Sequence, residues 1–156
     1  MPAYVSNVTV FDGRSVKQKA GVLVSEGRIA WVGPHARAPR SAREADEIEG
    51  RGRTLTPGLI DCHVHLCADG GPRAFERLTE VTREQLDAAV EASLRQHLAA
   101  GVTTVRDLGD QDGAVLSWRH DGGGAGLPAV FASGPPITSV GAPWQMWDAD
   151  AEHSVG

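Results

Sequence analysis

Lysine is nearly missing from this sequence. Lys17 and Lys19 are the only two in 156 residues, and none follows them. Acidic residues number 20 against 15 Lys plus Arg, a net charge of -5. That balance disfavours general nucleic-acid binding, which rests on basic contacts to phosphate. Cysteine is limited to Cys62 and Cys67. One falls in a predicted strand and the other in the loop after it, so a structural disulfide is not expected. No run approaches the ~18 apolar residues of a membrane span. The opening Met1-Pro2-Ala3-Tyr4 has neither the basic nor the apolar segment of a secretory signal. A cytoplasmic, reducing setting is therefore expected. What is present is ordinary: 41% hydrophobic and 22% charged residues, enough for one soluble domain or a small domain plus part of another.

The chain divides by pattern near residue 56. Residues 4–11 are β-branched and aromatic and read as a strand, closed by an Asp12-Gly13 turn. Residues 21–25 and 28–32 are short apolar runs joined by Glu26-Gly27, a hairpin signal. Residues 35–46 are Ala/Arg/Pro/Ser-rich and read as a surface loop. Residues 47–49 and 54–55 flank Gly50-Arg51-Gly52-Arg53 as another turn-linked pair. This first segment is small and all-β.

Helical periodicity appears only later. Thr82-Arg83-Glu84-Gln85 has the form of a capping box. Leu86, Ala89, Val90, Leu94 and Leu98 follow at helical spacing, and Gly101 suits the C-terminal cap. Residues 102–105 read as a strand, 114–120 as a short helix and 129–132 as a further strand. Strand, helix and strand in that order make parallel βαβ units. Beyond Ile137 no element is predicted, and no internal repeat is present.

Between these segments lies Thr56-Pro57-Gly58-Leu59-Ile60-Asp61-Cys62-His63-Val64-His65-Leu66. Side chains two apart in a strand share a face. Asp61, His63 and His65 are expected on one face, with Cys62, Val64 and Leu66 on the other. Two neutral imidazoles converging on one point are half of a metal site. Spacing alone leaves a second reading open, a half-buried strand with two incidental histidines.

A small β segment, then Pro-Gly-Leu-Ile-Asp-Cys-His-Val-His, then Gly-Val-Thr-Thr-Val-Arg-Asp, resembles the metal-dependent amidohydrolase superfamily. Within it, the imidazolonepropionase/prolidase-like branch is the most similar. Residues 8–13, the Gly27-Arg28-Ile29 hairpin, residues 55–66, residues 101–109 and Ala132-Ser133-Gly134-Pro135 carry the likeness, which covers residues 4 to 139. The resemblance implies an α/β fold: a TIM-type (β/α)8 barrel with a β-sandwich beside it. Residues 1–56 would be the amino-terminal β-sandwich segment and residues 57–156 the start of the barrel, with residues 57–66 as barrel strand 1. His63 and His65 would sit at the catalytic, C-terminal end of that strand. It implies one or two divalent metals, most often zinc, with His63 and His65 binding one. The implied reaction is hydrolysis of a small-molecule amide or cyclic amide, a carbon–nitrogen bond other than a peptide bond. A metal lowers the pKa of water and polarises the carbonyl under attack.

Several parts of the implied site are absent. A complete barrel needs ~250 residues, and those after residue 56 suffice for about three strands. The family's bridging lysine has no counterpart after Lys19. His97, His120 and His153 match no family ligand, and Ser139-Val140-Gly141 stands where the branch commonly carries Gly-Gly-His. The expectation is an incomplete barrel, an amino-terminal fragment from a truncation, frameshift or split gene, which alone binds zinc weakly and is inactive. The competing expectations are a non-catalytic binding or regulatory piece, and one half of a split enzyme completed by a carboxy-terminal chain or a homo-oligomer. Neither nucleic acid nor membrane is an expected partner.

Lesser candidates have two readings each. Asp61 either orients a metal ligand as a second-shell acceptor or bonds backbone at the barrel floor. Asp107, ending the second strand, either has a structural hydrogen-bonding or salt-bridge role, with Arg106 or a neighbouring loop, or serves the site, supporting a metal ligand or acting directly. Cys62 is expected in the core, and Cys67 in the loop. Trp144 and Trp147 either line a pocket or carry no role.

Overall fold

The computed structural model describes residues 1–78, 81–110, 113–139 and 154–155. The chain forms two compact units, Met1–Pro57 and Gly58–Gly156.

The first unit is built on β1 (Ala3–Phe11), β2 (Val16–Ser25), β3 (Arg28–Pro34), a 3-10 turn (His35–Arg37), α1 (Arg40–Arg43), β4 (Asp46–Glu49) and β5 (Thr54–Leu55). Asp12 starts the first hairpin by accepting the Arg14 and Ser15 N–H groups at 3.0 and 2.8 Å, the local turn chemistry that aspartate favours. Glu26 and Gly27 both take positive φ, 53° and 71°, as a tight hairpin turn requires. The sheet order is β3-β2-β1-β4, with β5 also on β1. Val8, Val10, Ala20 and Val22 form one buried cluster; Tyr4, Leu23 and Ala42 form another.

Three expectations change here. β2 begins at Val16, five residues before the apolar run that marked it, because Val16 and Lys17 pair with Phe11 and Val10. β4 and β5 do not pair with each other. Both run parallel to β1, and Gly50 and Gly52 donate to the Ser6 and Asn7 carbonyls across the intervening turn, each at 2.8 Å. The expected surface loop contains α1, whose Ala42 is buried against Tyr4 and Leu23. A β-sandwich needs a second packed sheet, and the described residues of this unit hold one sheet.

The second unit is mixed α/β. Its main elements are β6 (Leu59–Val64), α2 (Ala74–Arg77), α3 (Arg83–Ala99), β7 (Val102–Asp107), α4 (Ala114–His120) and β8 (Ala129–Ala132), followed by the short parallel pair β9 (Thr138–Ser139) and β10 (Ser154–Val155). β6, β7 and β8 form a parallel sheet in that order. α3 starts with the expected capping box: Thr82 Oγ1 accepts the Gln85 N–H at 3.3 Å, and Gln85 Oε1 accepts the Thr82 N–H at 2.8 Å. Leu86, Val90 and Leu94 are its buried stripe. Leu98, expected on that stripe, is exposed. Val64, Leu66, Val90, Leu94, Val105, Val115, Trp118 and Val130 make the core. It draws on all three strands, so α3 and α4 cover one face of the sheet. Fully burying each aliphatic side chain contributes about 1.5–3 kcal/mol. No helix among the described residues is long and apolar enough to cross a membrane.

Candidate metal centre

The histidines stand where β6 ends. The strand runs Leu59–Val64, so His63 is its penultimate residue and His65 the first beyond it. The imidazole centroids are 5.5 Å apart, edge to face with 71° between the planes. His63 is exposed and His65 half-buried. His65 Nδ1 lies 2.9 Å from the Gly109 carbonyl oxygen. A carbonyl only accepts, so Nδ1 carries a proton, and in the neutral ring the lone pair then stands on Nε2.

The strand is not regular on the approach to this pair. Asp61 pairs with Val105 and Val64 with Asp107, so three steps along β6 match two along β7. One extra residue is bulged in, which interrupts the two-residue alternation. The expected single face of Asp61, His63 and His65 is therefore broken between Asp61 and His63. The Asp61 carboxylate instead accepts the backbone N–H of His63 at 3.0 Å. Cys62, expected in the core, is exposed, because it lies in the bulge. Cys67 is buried among Leu78, Leu86 and Ala114.

Asp107 is fully buried. Its Oδ2 accepts the Leu66 N–H at 2.8 Å, and its Oδ1 accepts the Gly109 N–H at 3.1 Å. Both partners are backbone groups of the segments that follow β6 and β7, so the expected bond runs to the neighbouring loop and not to Arg106. The peptide groups of the same residues tie the three strand ends together. Leu108 donates to the Val64 carbonyl at 3.0 Å, and Ser133 donates to the Asp107 carbonyl at 3.1 Å. Burial pushes the Asp107 carboxyl above the ordinary aspartate value, while the two N–H bonds and nearby His65 pull it back.

Asp110 escaped the sequence reading. It is 1% exposed. Its Oδ2 accepts the Val115 N–H at 2.9 Å in the first turn of α4, and its Oδ1 has no hydrogen-bond partner among the described residues. Burial first, and then the Asp107 charge, push its carboxyl up to about 6 against the pull of the Val115 N–H. The signal was present as two acids straddling Leu108-Gly109 directly after a strand.

The remaining histidines stand apart. His97, in the last turn of α3, places Nδ1 2.7 Å from the Ser93 carbonyl. His120 ends α4 and is exposed. His153, Trp144 and Trp147 lie outside the described residues. Among the described residues no group of three or more His, Cys, Asp or Glu side chains is placed to hold a metal. His63 and His65 do fit a divalent metal as two donors. They are adjacent imidazoles, one of them with its second nitrogen already bonded to a carbonyl, the arrangement that fixes metal-ligating histidines.

The family model described as "Amidohydrolase family" matches residues 54–154, a span that contains the histidine pair and its supporting turn. The chain belongs to the amidohydrolase family. It is 35% identical over 114 residues to an imidazolonepropionase of Maricaulis maris (strain MCS10), an alignment covering 65% of this chain and 28% of that protein. The chain thus spans under a third of the length of that imidazolonepropionase. A prolidase solved in complex with N-methylphosphonate-L-proline is 26% identical with a TM-score of 0.69, over 89% of this chain and 33% of that one. A Xaa-Pro dipeptidase with bound methionine has a TM-score of 0.75 at 23% identity, over 100% of this chain and 39% of that one, a likeness of fold alone.

Proposed function

We propose that this amidohydrolase-family chain supplies the strand-borne histidine pair of a divalent-metal centre, with zinc as the metal. The enzyme to which the centre belongs hydrolyses a carbon–nitrogen bond other than a peptide bond, in a small amide or cyclic amide. The observation that carries the proposal is the His63–His65 pair at the end of β6, with His65 Nδ1 committed to the Gly109 carbonyl. The imidazolonepropionase relative and the prolidase of like fold support the carbon–nitrogen class.

His63 and His65 donate ring nitrogens. Gly109 accepts from His65 and fixes its tautomer. Asp61 holds the His63 peptide, and Asp107 holds the strand ends beside His65. A metal bound there would lower the pKa of water toward ~7 and polarise the substrate carbonyl. Zinc sites use three or four protein donors, so this pair alone holds zinc weakly, and residues 1–156 alone do not turn over an amide. In this reading residues 57–156 are the opening strands of a (β/α)8 barrel and residues 1–56 part of a β-sandwich.

A second reading draws on Leu59, Ile60 and Phe131, which are exposed on the outer strands β6 and β8 of the parallel sheet. Parallel sheets are ordinarily covered on both faces. One half of a split enzyme, or a non-catalytic binding piece, would have these residues covered by another polypeptide. Zinc titration of the 156-residue chain against a competing chelator, with an N-acyl amide hydrolysis assay alongside, tests both. Weak zinc uptake that disappears in H63A and H65A, with no turnover, is expected. Zinc uptake indifferent to both substitutions sinks the metal assignment, and turnover by the chain alone sinks its inactivity.

A further inference from the structure

We infer that Asp107 is the positioning residue for His65. Its carboxylate fixes the backbone beside His65 and also the residue, Gly109, whose carbonyl bonds the His65 ring, so that the neutral ring keeps its proton on Nδ1 and its lone pair on Nε2.

Three hydrogen bonds close a circuit. Asp107 Oδ2 accepts from Leu66 N–H at 2.8 Å, one residue past His65. Asp107 Oδ1 accepts from Gly109 N–H at 3.1 Å. The Gly109 carbonyl accepts the His65 Nδ1 proton at 2.9 Å. One buried carboxylate therefore sets both ends of the His65 hydrogen bond: where the ring starts and where its acceptor stands. Gly109 takes φ 144°, a conformation that side-chain-bearing residues rarely adopt, and an added Cβ would meet Pro136 at 3.3 Å. The acceptor peptide is thus held in an orientation specific to glycine. Beyond it, Asp110 anchors the same turn to the first turn of α4.

The choice of a carboxylate follows from the two donors. An ionised aspartate is acceptor-only and satisfies both N–H groups. Asparagine offers one acceptor oxygen and one NH2 group, so one of the two N–H groups loses its partner and the turn slackens. Without the Gly109 acceptor in place, the constraint on Nδ1 is lost and the His65 ring shifts toward the Nε2–H form that neutral imidazole in water favours. That form puts a proton on the coordinating nitrogen. A purely structural Asp107 would affect the stability of the strand ends and leave the tautomer alone.

This inference rests on the metal reading for its purpose but not for its readout. Ring 15N shifts of the histidine-labelled 156-residue chain, recorded without metal at a pH where the imidazoles are neutral, report the tautomer of each histidine. The wild-type chain is expected to hold His65 as Nδ1–H. In D107N the His65 shifts move toward Nε2–H, while those of His97, whose ring is bonded within α3, stay fixed. D107S, which keeps one acceptor, serves the same purpose if D107N does not fold. Zinc affinity, measured separately, is expected to fall about 10–100-fold, as for other outer-shell partners. A wild-type His65 in the Nε2–H form overturns the inference. So does a folded D107N or D107S chain with an unchanged His65 tautomer. If the tautomer shifts as expected but no variant takes up zinc, the positioning role stands and the metal reading fails. If zinc binding needs His65 while the tautomer ignores Asp107, the reverse holds.

Discussion

Replacing Asp110 with asparagine should change how stability depends on pH. Folding raises this carboxyl from 3.8 to about 6. The folded chain therefore holds the proton more tightly than the unfolded chain. The stability that Asp110 contributes is fully present below pH ~4 and is lost as pH rises through about 6, because ∂ΔG/∂pH is negative wherever the folded state binds more protons. At ~1.4 kcal/mol per pH unit, the full loss is roughly 3 kcal/mol. Asp110 is 1% exposed, so solvent screening removes little of it. D110N keeps an oxygen for the Val115 N–H and carries no charge to bury. Its NH2 takes the place of the unbonded Oδ1, and an unpartnered buried donor costs about 1–3 kcal/mol at every pH. The absolute stability of D110N is thus a balance of two similar terms, whereas the pH dependence of the difference isolates the carboxyl. Urea unfolding of both chains from pH 4 to 8 should show wild type losing about 2–3 kcal/mol relative to D110N over that range. A flat difference, or wild type gaining on D110N as pH rises, refutes a buried Asp110 with a raised pKa.

Leu94 is fully buried in the core beneath the parallel sheet. L94A should lower unfolding stability by about 2–5 kcal/mol in urea melts, and a loss below ~1 kcal/mol would contradict that packing. T82A removes the side-chain acceptor for Gln85 at the start of α3 and should cost about 1 kcal/mol. The same melts measure it, with earlier loss of helical circular dichroism as a second sign. G123A should destabilise the second unit, because an added Cβ would run into the Trp118 ring and its carbonyl oxygen at 2.7 Å. Urea melts of G123A that coincide with wild type would contradict that close approach.

In the second unit α3, β7 and β8 were legible because each carried redundant local signals, whereas α2, β9 and β10 carried none and were not predicted. α3 had a capping box, a repeating apolar stripe and a terminal Gly101. β7 and β8 were β-branched or apolar runs bounded by Gly and Pro. Pairing in the first unit was less legible, since Gly50–Arg53 marks a turn without saying which strand its flanks join. Both flanks joined β1. The histidine pair could be read from spacing, but its neighbours could not. The bulge between Asp61 and Val64 follows from register with β7, a long-range property invisible to a two-residue period. It moved Asp61 onto the His63 backbone and Cys62 to the surface. Asp107 stood out as a candidate beside the site, whereas Asp110 read as an ordinary polar residue just past a strand end. Burial distinguishes both, and burial is a property of tertiary packing that local sequence does not carry.

Zinc K-edge X-ray absorption of the 156-residue chain with one equivalent of zinc addresses the histidine pair most directly. The account predicts two imidazole nitrogens at ~2.0–2.1 Å, falling to one in H63A or H65A, with lighter oxygen donors filling the remaining positions. A spectrum with no imidazole contribution, or one that neither substitution changes, would contradict it.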